Sequence, residues 1–282
     1  MGQIIDVKSL ADRLRNDIKD FANDRKKQGL KAPKIASVLT SDDPGSIYYI
    51  ESQKKLAQKL SVDFLDIRLE KDVTEEGLIS KIHELNSDYT VSGIIIQLPL
   101  KKGFNQNRVV NEIAVEKDID CLTLTNQGKL YTGAEGFIPC TPNSVLNILK
   151  SLPIDITSKN VVVIGRSNIV GKPVAQLMLN ENATVTICHS RTKNLREKTS
   201  EADILISAIG KPKFIDDTYI KENAILIDVG TSRFEGKITG DIDLDKVLDK
   251  CLYVTKVPGG VGALTTTLLI NNACEALKNN EN

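Results

Sequence analysis

Histidine is nearly absent from this sequence: there are two in 282 residues, His83 and His189, far apart in the chain. With so few imidazoles, and with no C-x-x-C spacing among its cysteines, a metal site of the zinc type is not expected. The five cysteines, Cys121, Cys140, Cys188, Cys251 and Cys274, are scattered and odd in number, which suits reduced, buried thiols rather than a disulfide framework. Net charge is lacking too. Lys plus Arg and Asp plus Glu are both 37, so the whole-chain footprint of a nucleic-acid or anionic-membrane binder is missing. No apolar run approaches the roughly 18 residues of a membrane span. The opening MGQIIDVKSLADRLRND has no basic segment followed by an apolar run. These absences predict a soluble cytoplasmic protein without membrane or nucleic-acid partners. The composition, 41% hydrophobic and 26% charged, is ordinary for one large or two medium domains.

The pattern is α/β. Val7 to Lys27 is amphipathic, with Leu10, Leu14, Ile18 and Phe21 on one stripe. Lys34–Thr40, Phe64–Leu69 and Gly93–Leu98 read as strands, with helical spacing over Ser46–Leu60 and Thr74–Asn86 between them. His83 falls among charged neighbours and reads as a surface residue. After Arg108 to Ile113 the chain is expected to be irregular up to Thr141-Pro142, and a domain junction belongs there. A helix over Asn143–Leu149 then restarts the alternation, with strands at Ile204–Ala208, Ile225–Val229 and Tyr253-Val254 and a last helix over Leu264–Leu277.

Residues 161 to 192 carry the most information. Val161 to Ile164 is a β-branched run with no polar face, as a parallel strand covered on both sides requires. Gly165 ends it, and Ile169 to Leu179 shows helical spacing, so the backbone N–H groups of the turn would face an anion above the strand. The dinucleotide fingerprint G-x-G-x-x-G is imperfect, with Gly165, Ser167 and Gly171 in its places. After the second strand, Ala183 to Cys188, an NAD enzyme would carry an acid for the ribose 2′-hydroxyl. His189, Ser190 and Arg191 stand there instead. Arg191, with Arg166 in the turn, suits the extra 2′-phosphate of NADP.

Six segments then combine. Tyr48-Tyr-Ile-Glu-Ser-Gln-Lys-Lys55, Gly93-Ile-Ile-Ile-Gln-Leu-Pro-Leu100, Glu116-Lys-Asp-Ile-Asp120, Phe137-Ile-Pro-Cys-Thr-Pro142, Ile164-Gly-Arg-Ser-Asn-Ile-Val-Gly-Lys-Pro173 and Val257-Pro-Gly-Gly-Val-Gly262 resemble the signatures of the methylenetetrahydrofolate dehydrogenase/methenyltetrahydrofolate cyclohydrolase family. They run in order over nearly the whole chain. The resemblance implies a homodimer of two-domain subunits: a folate-binding catalytic domain over 1–138 and 264–282, and a Rossmann-like NADP-binding domain with a parallel sheet over 139–263. The folate cleft would lie between them. It also implies that Tyr49 stacks on the folate, that Gln97 supports the catalytic centre, that Asp120 holds the pterin, and that Pro258, Gly259 and Gly260 border the substrate. Gly165, Arg166, Ser167, Ser190, Arg191 and Thr231 would meet NADP. Each of these has an ordinary structural alternative, such as a packed aromatic at Tyr49, a solvated acid pair at Asp118 and Asp120, or surface arginines. Their joint occurrence in matching segments is what favours the functional reading.

One departure bears on chemistry. The family motif places a catalytic lysine four residues after the tyrosine, and here that position is Gln53. Residues four apart share a helix face, whereas Lys54 lies about 100° round the helix. Hydride loss from a methylene bridge needs positioning against the nicotinamide. Hydration of the methenyl product needs a proton acceptor and donor, which glutamine is not. A dehydrogenase with weak or absent cyclohydrolase activity is therefore expected. The alternatives are an enzyme keeping both activities through Lys54 or a water, an idle folate- or nucleotide-binding protein, and a related dehydrogenase acting on a small carbonyl compound. Two smaller departures are Cys121 in place of a common Gly, and Ala263 where Pro usually follows.

Overall fold

The computed structural model describes residues 2–280. The chain forms two compact units, one comprising Asp12–Ile138 and the chain from Thr266 onward, the other the chain up to Ala11 with Pro139–Thr265. It opens with β1 (Gln3–Ile4) and α1 (Val7–Lys27). Val7, Ala11, Ile18 and Ala22 form the most buried stripe of α1.

The unit built on Asp12–Ile138 is a three-stranded parallel sheet in the order β3-β2-β4, from β2 (Lys34–Leu39), β3 (Asp63–Arg68) and β4 (Gly93–Ile96). The parallel crossovers are α2 (Pro44–Lys59) and α3 (Glu75–Ser87). Each has a side-chain cap. Asp43 Oδ2 accepts the Ser46 N–H at 2.8 Å and Thr74 Oγ1 accepts the Gly77 N–H at 3.1 Å, satisfying donors that a helix start leaves open. Ala36, Val38, Leu78, Ile82, Ile94 and Ile96 close one face of the sheet, each large aliphatic contributing on the order of 1.5–3 kcal/mol by leaving water. A short α4 (Gln106–Val110) precedes the segment expected to be irregular, and that segment contains α5 (Leu124–Thr132). Asn105 caps α4, Thr123 caps α5, and Gly133 at φ 71° ends α5.

In the other unit, α6 (Cys140–Lys150) leads into β5 (Asn160–Ile164), α7 (Gly171–Asn180), β6 (Thr184–Cys188), α8 (Leu195–Thr199), β7 (Ile204–Ser207) and β8 (Ile225–Asp228). A hairpin of β9 (Ser232–Phe234) and β10 (Lys237–Thr239), a short α9 (Leu244–Val247), β11 (Tyr253–Val254) and the start of α10 (Val261–Asn279) follow, the rest of α10 belonging to the unit built on Asp12–Ile138. The sheet is six-stranded and parallel throughout, in the order β1-β11-β8-β7-β5-β6. Residues 2–11, expected with the amino-terminal domain, group here because Gln3 and Ile4 pair with Tyr253 and Val254. Strands β5, β7 and β8 are buried over nearly their whole length, the signature of a sheet covered on both faces. Among the described residues no helix is long and apolar enough to cross a membrane.

Candidate active site

Strand β4 stops at Ile96, and the next residue, Gln97, is held by its backbone N–H on the Val38 carbonyl at 2.9 Å. Its side chain turns inward and is 4% exposed. The Gln97 amide nitrogen donates to Gln53 Oε1 at 2.8 Å and to Ser37 Oγ at 2.9 Å. Gln53, on α2, is 1% exposed, and its own amide nitrogen has no hydrogen-bond partner. A buried donor left open is costly and marks a place where a further acceptor belongs. Tyr49, one turn earlier on the same helix, is 37% exposed, so it presents its ring to solvent beside this cluster. Lys54 is turned elsewhere, its ammonium lying 3.4 Å from Asp66 Oδ2 on β3. Sequence reading missed Ser37. A serine inside the otherwise apolar run of β2, fully buried, is the signal that could have found it.

Asp118 and Asp120 do not form a solvated pair. Asp118 is completely buried and its carboxylate accepts from the Leu122 and Thr123 N–H groups, Thr123 Oγ1 and Asn126 Nδ2 at 2.7–2.9 Å. Burial pushes its pKa up, and these four bonds oppose the rise. Asp120, two residues on, is half-buried. Cys121 between them and α5 has φ 56°, a left-handed backbone that glycine adopts without strain. That is the physical content of the Gly-to-Cys departure. Lys117 anchors the segment from the other side, its ammonium donating to the carbonyls of Leu85, Asn86 and Asp88 at the end of α3.

In the other unit, the turn after β5 is shaped by close approach. Gly165 has φ 127° and a Cβ there would stand 2.6 Å from the Ala208 carbonyl oxygen; at Gly171 a Cβ would meet the Gly165 carbonyl. Ser167, at the place of the missing glycine, works as a cap: its Oγ accepts the N–H groups of Val170 and Gly171 at 3.2 and 3.3 Å. Arg166 and Ser167 face solvent. After β6, the His189 N–H donates to Thr192 Oγ1 and His189 Nδ1 accepts the Arg191 N–H, which leaves Ser190 and Arg191 exposed. Among the described residues neither Arg166 nor Arg191 enters an ion pair. Two uncommitted guanidiniums and a hydroxyl by a glycine turn fit a phosphate-bearing nucleotide.

Two buried carboxylates organise the remaining loops of this sheet edge, and sequence reading did not single them out. Asp228, at the end of β8, accepts from the N–H groups of Gly230, Asp241 and Ile242 at 2.9–3.0 Å. Asp241 accepts from Ser207 Oγ and the N–H groups of Ile209 and Lys211 at 2.7–2.9 Å. At Gly240 a Cβ would lie 2.0 Å from Asp228 Oδ2, so only glycine allows this approach. Thr231 is exposed just beyond, and the neighbouring Ser232 Oγ donates to the Gly210 carbonyl at 3.0 Å. Thr255 Oγ1 accepts the Asp228 N–H at 2.8 Å and leads into Pro258 and Gly259, both exposed, and buried Gly260. An acid closing an apolar strand, Ile225-Leu-Ile-Asp228, was the readable sign.

With this geometry in hand, comparison with known proteins is specific. Residues 5–120 match the model of the tetrahydrofolate dehydrogenase/cyclohydrolase catalytic domain, and residues 139–281 that of its NAD(P)-binding domain. The chain is 65% identical over 281 residues to the bifunctional protein FolD of Clostridium botulinum (strain Eklund 17B / Type B), all of both chains being covered. It is 54% identical to that of Clostridium acetobutylicum, covering 99% of this chain and 100% of the relative. Among solved structures, the bifunctional FolD of Campylobacter jejuni superposes with a TM-score of 0.96 at 37% identity, covering 99% of this chain and 100% of that one. The Trypanosoma brucei FolD, solved with NADP cofactor and an inhibitor, gives 0.93 at 30% identity over 99% and 98% of the two chains.

Proposed function

The chain belongs to the tetrahydrofolate dehydrogenase/cyclohydrolase family, and from that premise we propose that it oxidises 5,10-methylenetetrahydrofolate with NADP while opening the methenyl product slowly or not at all. The observation that carries this reading is the Gln53–Gln97–Ser37 chain: all three side chains are buried and none can exchange a proton near neutral pH.

In the first reaction a hydride leaves the methylene carbon and the folate nitrogens delocalise the resulting cation. NADP, when bound, would supply the hydride acceptor. No O–H or N–H proton has to leave, so the protein's task is to orient the substrate. Tyr49 offers a ring for stacking, the open Gln53 amide offers a donor to the folate, and Asp120 an acceptor for the pterin. In the second reaction water attacks the methenyl carbon, loses a proton, and a folate nitrogen gains one as the ring opens. General acid–base assistance in such steps is worth roughly 10²- to 10⁴-fold. Lys54 does not replace the missing lysine, since its ammonium is directed to Asp66.

On this reading Gly165, Arg166, Ser167, Ser190, Arg191 and Thr231 bind NADP, with the two arginines selecting the 2′-phosphate, and Pro258, Gly259 and Gly260 border the folate. The unit of Asp12–Ile138 is the catalytic domain and that of Pro139–Thr265 the NADP-binding domain. A cytoplasmic homodimer is the assembly and location that the family resemblance favours.

A second reading, in which both activities are retained, is favoured by the name "bifunctional" carried by the relatives. One assay separates the two. Methenyltetrahydrofolate hydrolysis above the buffer rate is measured in the wild type and in Gln53→Lys, beside NADP reduction with methylenetetrahydrofolate. The expected result is NADP reduction in the wild type, hydrolysis near background, and hydrolysis restored by the lysine. Robust wild-type hydrolysis overturns the proposal.

A further inference from the structure

Beyond the carboxyl ends of β2, β3 and β4 lies a cavity of about 380 Å³ that none of the roles above uses. Four cations, Arg68, Lys71, Lys101 and Lys102, line it against one acid, Asp42, in a chain whose total charge is zero. Ser41 also lines it, and its hydroxyl oxygen is buried with no hydrogen-bond partner. A buried hydroxyl ordinarily finds a partner, so this one is a donor waiting for an acceptor.

The cations are not equally committed. The Arg68 guanidinium is held by Asp66 and Glu51, and the Lys101 ammonium by the carbonyls of Lys71 and Val73. They set the local potential without being free to move. Lys71 pairs only with Asp42 in full solvent, both side chains being more than 70% exposed, a contact worth little in water. Lys102 is exposed and enters no ion pair among the described residues. Two solvent-exposed ammoniums beside an open hydroxyl suit a carboxylate.

The place of the cavity says which carboxylate. Ile47, in the first turn of α2, and Leu100, three residues past Gln97, also line it. Ser46 Oγ ties that turn to the Leu98 carbonyl at 3.0 Å. From Ile47 to Gln53 is about 9 Å of helix rise, with Tyr49 between. A folate whose rings lie along Tyr49 and Gln53 carries its glutamate away from them, and each added γ-linked glutamate brings one more α-carboxylate.

We propose that this cavity receives the α-carboxylates of the substrate's γ-linked glutamyl tail, with Ser41, Lys71 and Lys102 as the groups that hold them. The inference rests on the folate reading given above. Its test compares the KM of monoglutamyl and triglutamyl methylenetetrahydrofolate in the wild type and in the double variant Lys71→Ala/Lys102→Ala. Two exposed charge contacts predict a wild-type KM roughly threefold to tenfold lower for the triglutamyl form, a preference that the double variant loses and that added salt weakens. Inorganic phosphate, added as a competitor, is expected to raise the triglutamyl KM more than the monoglutamyl one.

Equal KM values in the wild type, or a preference unchanged in the double variant, overturn the inference while turnover itself upholds the folate reading. Phosphate inhibition without any chain-length effect also overturns it, making the cavity a site for a free anion. If neither substrate reduces NADP, the folate reading fails and this inference goes with it.

Discussion

The Gln97 amide nitrogen donates to Gln53 Oε1 across 2.8 Å, joining the end of β4 to the middle of α2. The bond uses the acceptor end of Gln53 and leaves its donor end open. A neutral side chain that fills a buried position and offers an unpartnered NH2 group can orient a bound molecule. It cannot take a proton from water.

Breaking this contact from either side should show coupling. Gln97→Leu leaves Gln53 without a partner at either end, at a cost of about 1–3 kcal/mol. Gln53→Leu removes the group that would be orphaned, so the double variant should cost less than the sum of the singles by about 1 kcal/mol. Urea titration of the three variants measures it, and strictly additive losses would show that the two amides are not bonded.

Asp118 is expected to be structural in its energetics and functional in its effect. Asp118→Ala strands four buried donors and should cost roughly 3 kcal/mol or more, with Asp118→Asn between it and the wild type. Because Asp120 follows two residues later, the folate KM of the Asn variant should rise more than its NADP KM. A stability loss within about 0.5 kcal/mol for the Ala variant, the range of an ordinary surface change, would contradict the burial.

The strands and main helices could be read from periodicity because their burial is regular: β5, β7 and β8 are apolar except for one terminal polar residue each, and α1 keeps one stripe. What could not be read depends on polar groups acting at a distance. The run from 114 to 141 looks irregular by composition, yet Thr123 and Gly133 bound a helix in it. Membership of β1 in the six-stranded sheet is a contact with residues about 250 positions later, which no local pattern carries. At the site, Tyr49, Gln53, Gln97 and Asp120 stood out through their motifs, whereas Ser37, Asp228 and Asp241 are single polar residues whose partners come from other strands and loops. The orientation of Lys54 likewise depends on Asp66, on a different element.

All five cysteines are buried in the folded chain. Desolvation raises the pKa of the Cys121, Cys188 and Cys251 thiols and pushes Cys274 up to about 12, so little thiolate is present at neutral pH. A colorimetric thiol reagent should therefore find almost no reactive thiol in the native protein and five in urea. Activity should be insensitive to mild oxidant over the same period. A native thiol reacting at the rate of a free cysteine would refute this.

The carboxyl of Asp228 gives the fold a pH dependence of defined sign. Burial, with the neighbouring Asp241 charge, raises its pKa to about 7 against the three N–H groups that favour its ionised form. An unfolded aspartate titrates near 3.9. Between these values the native state holds a proton that the unfolded state has released, so this group's contribution to stability is present below about pH 4 and is lost as pH rises through 7. Other carboxylates, such as Asp66, are lowered by their partners and slope the opposite way, which makes a comparison of variants necessary. Asp228→Asn cannot ionise. On going from pH 5 to pH 8 the wild type should therefore lose stability relative to this variant, read as the difference between their urea midpoints at each pH. A difference that stays constant across that range would mean that Asp228 keeps an ordinary pKa, and that its three N–H donors outweigh its burial.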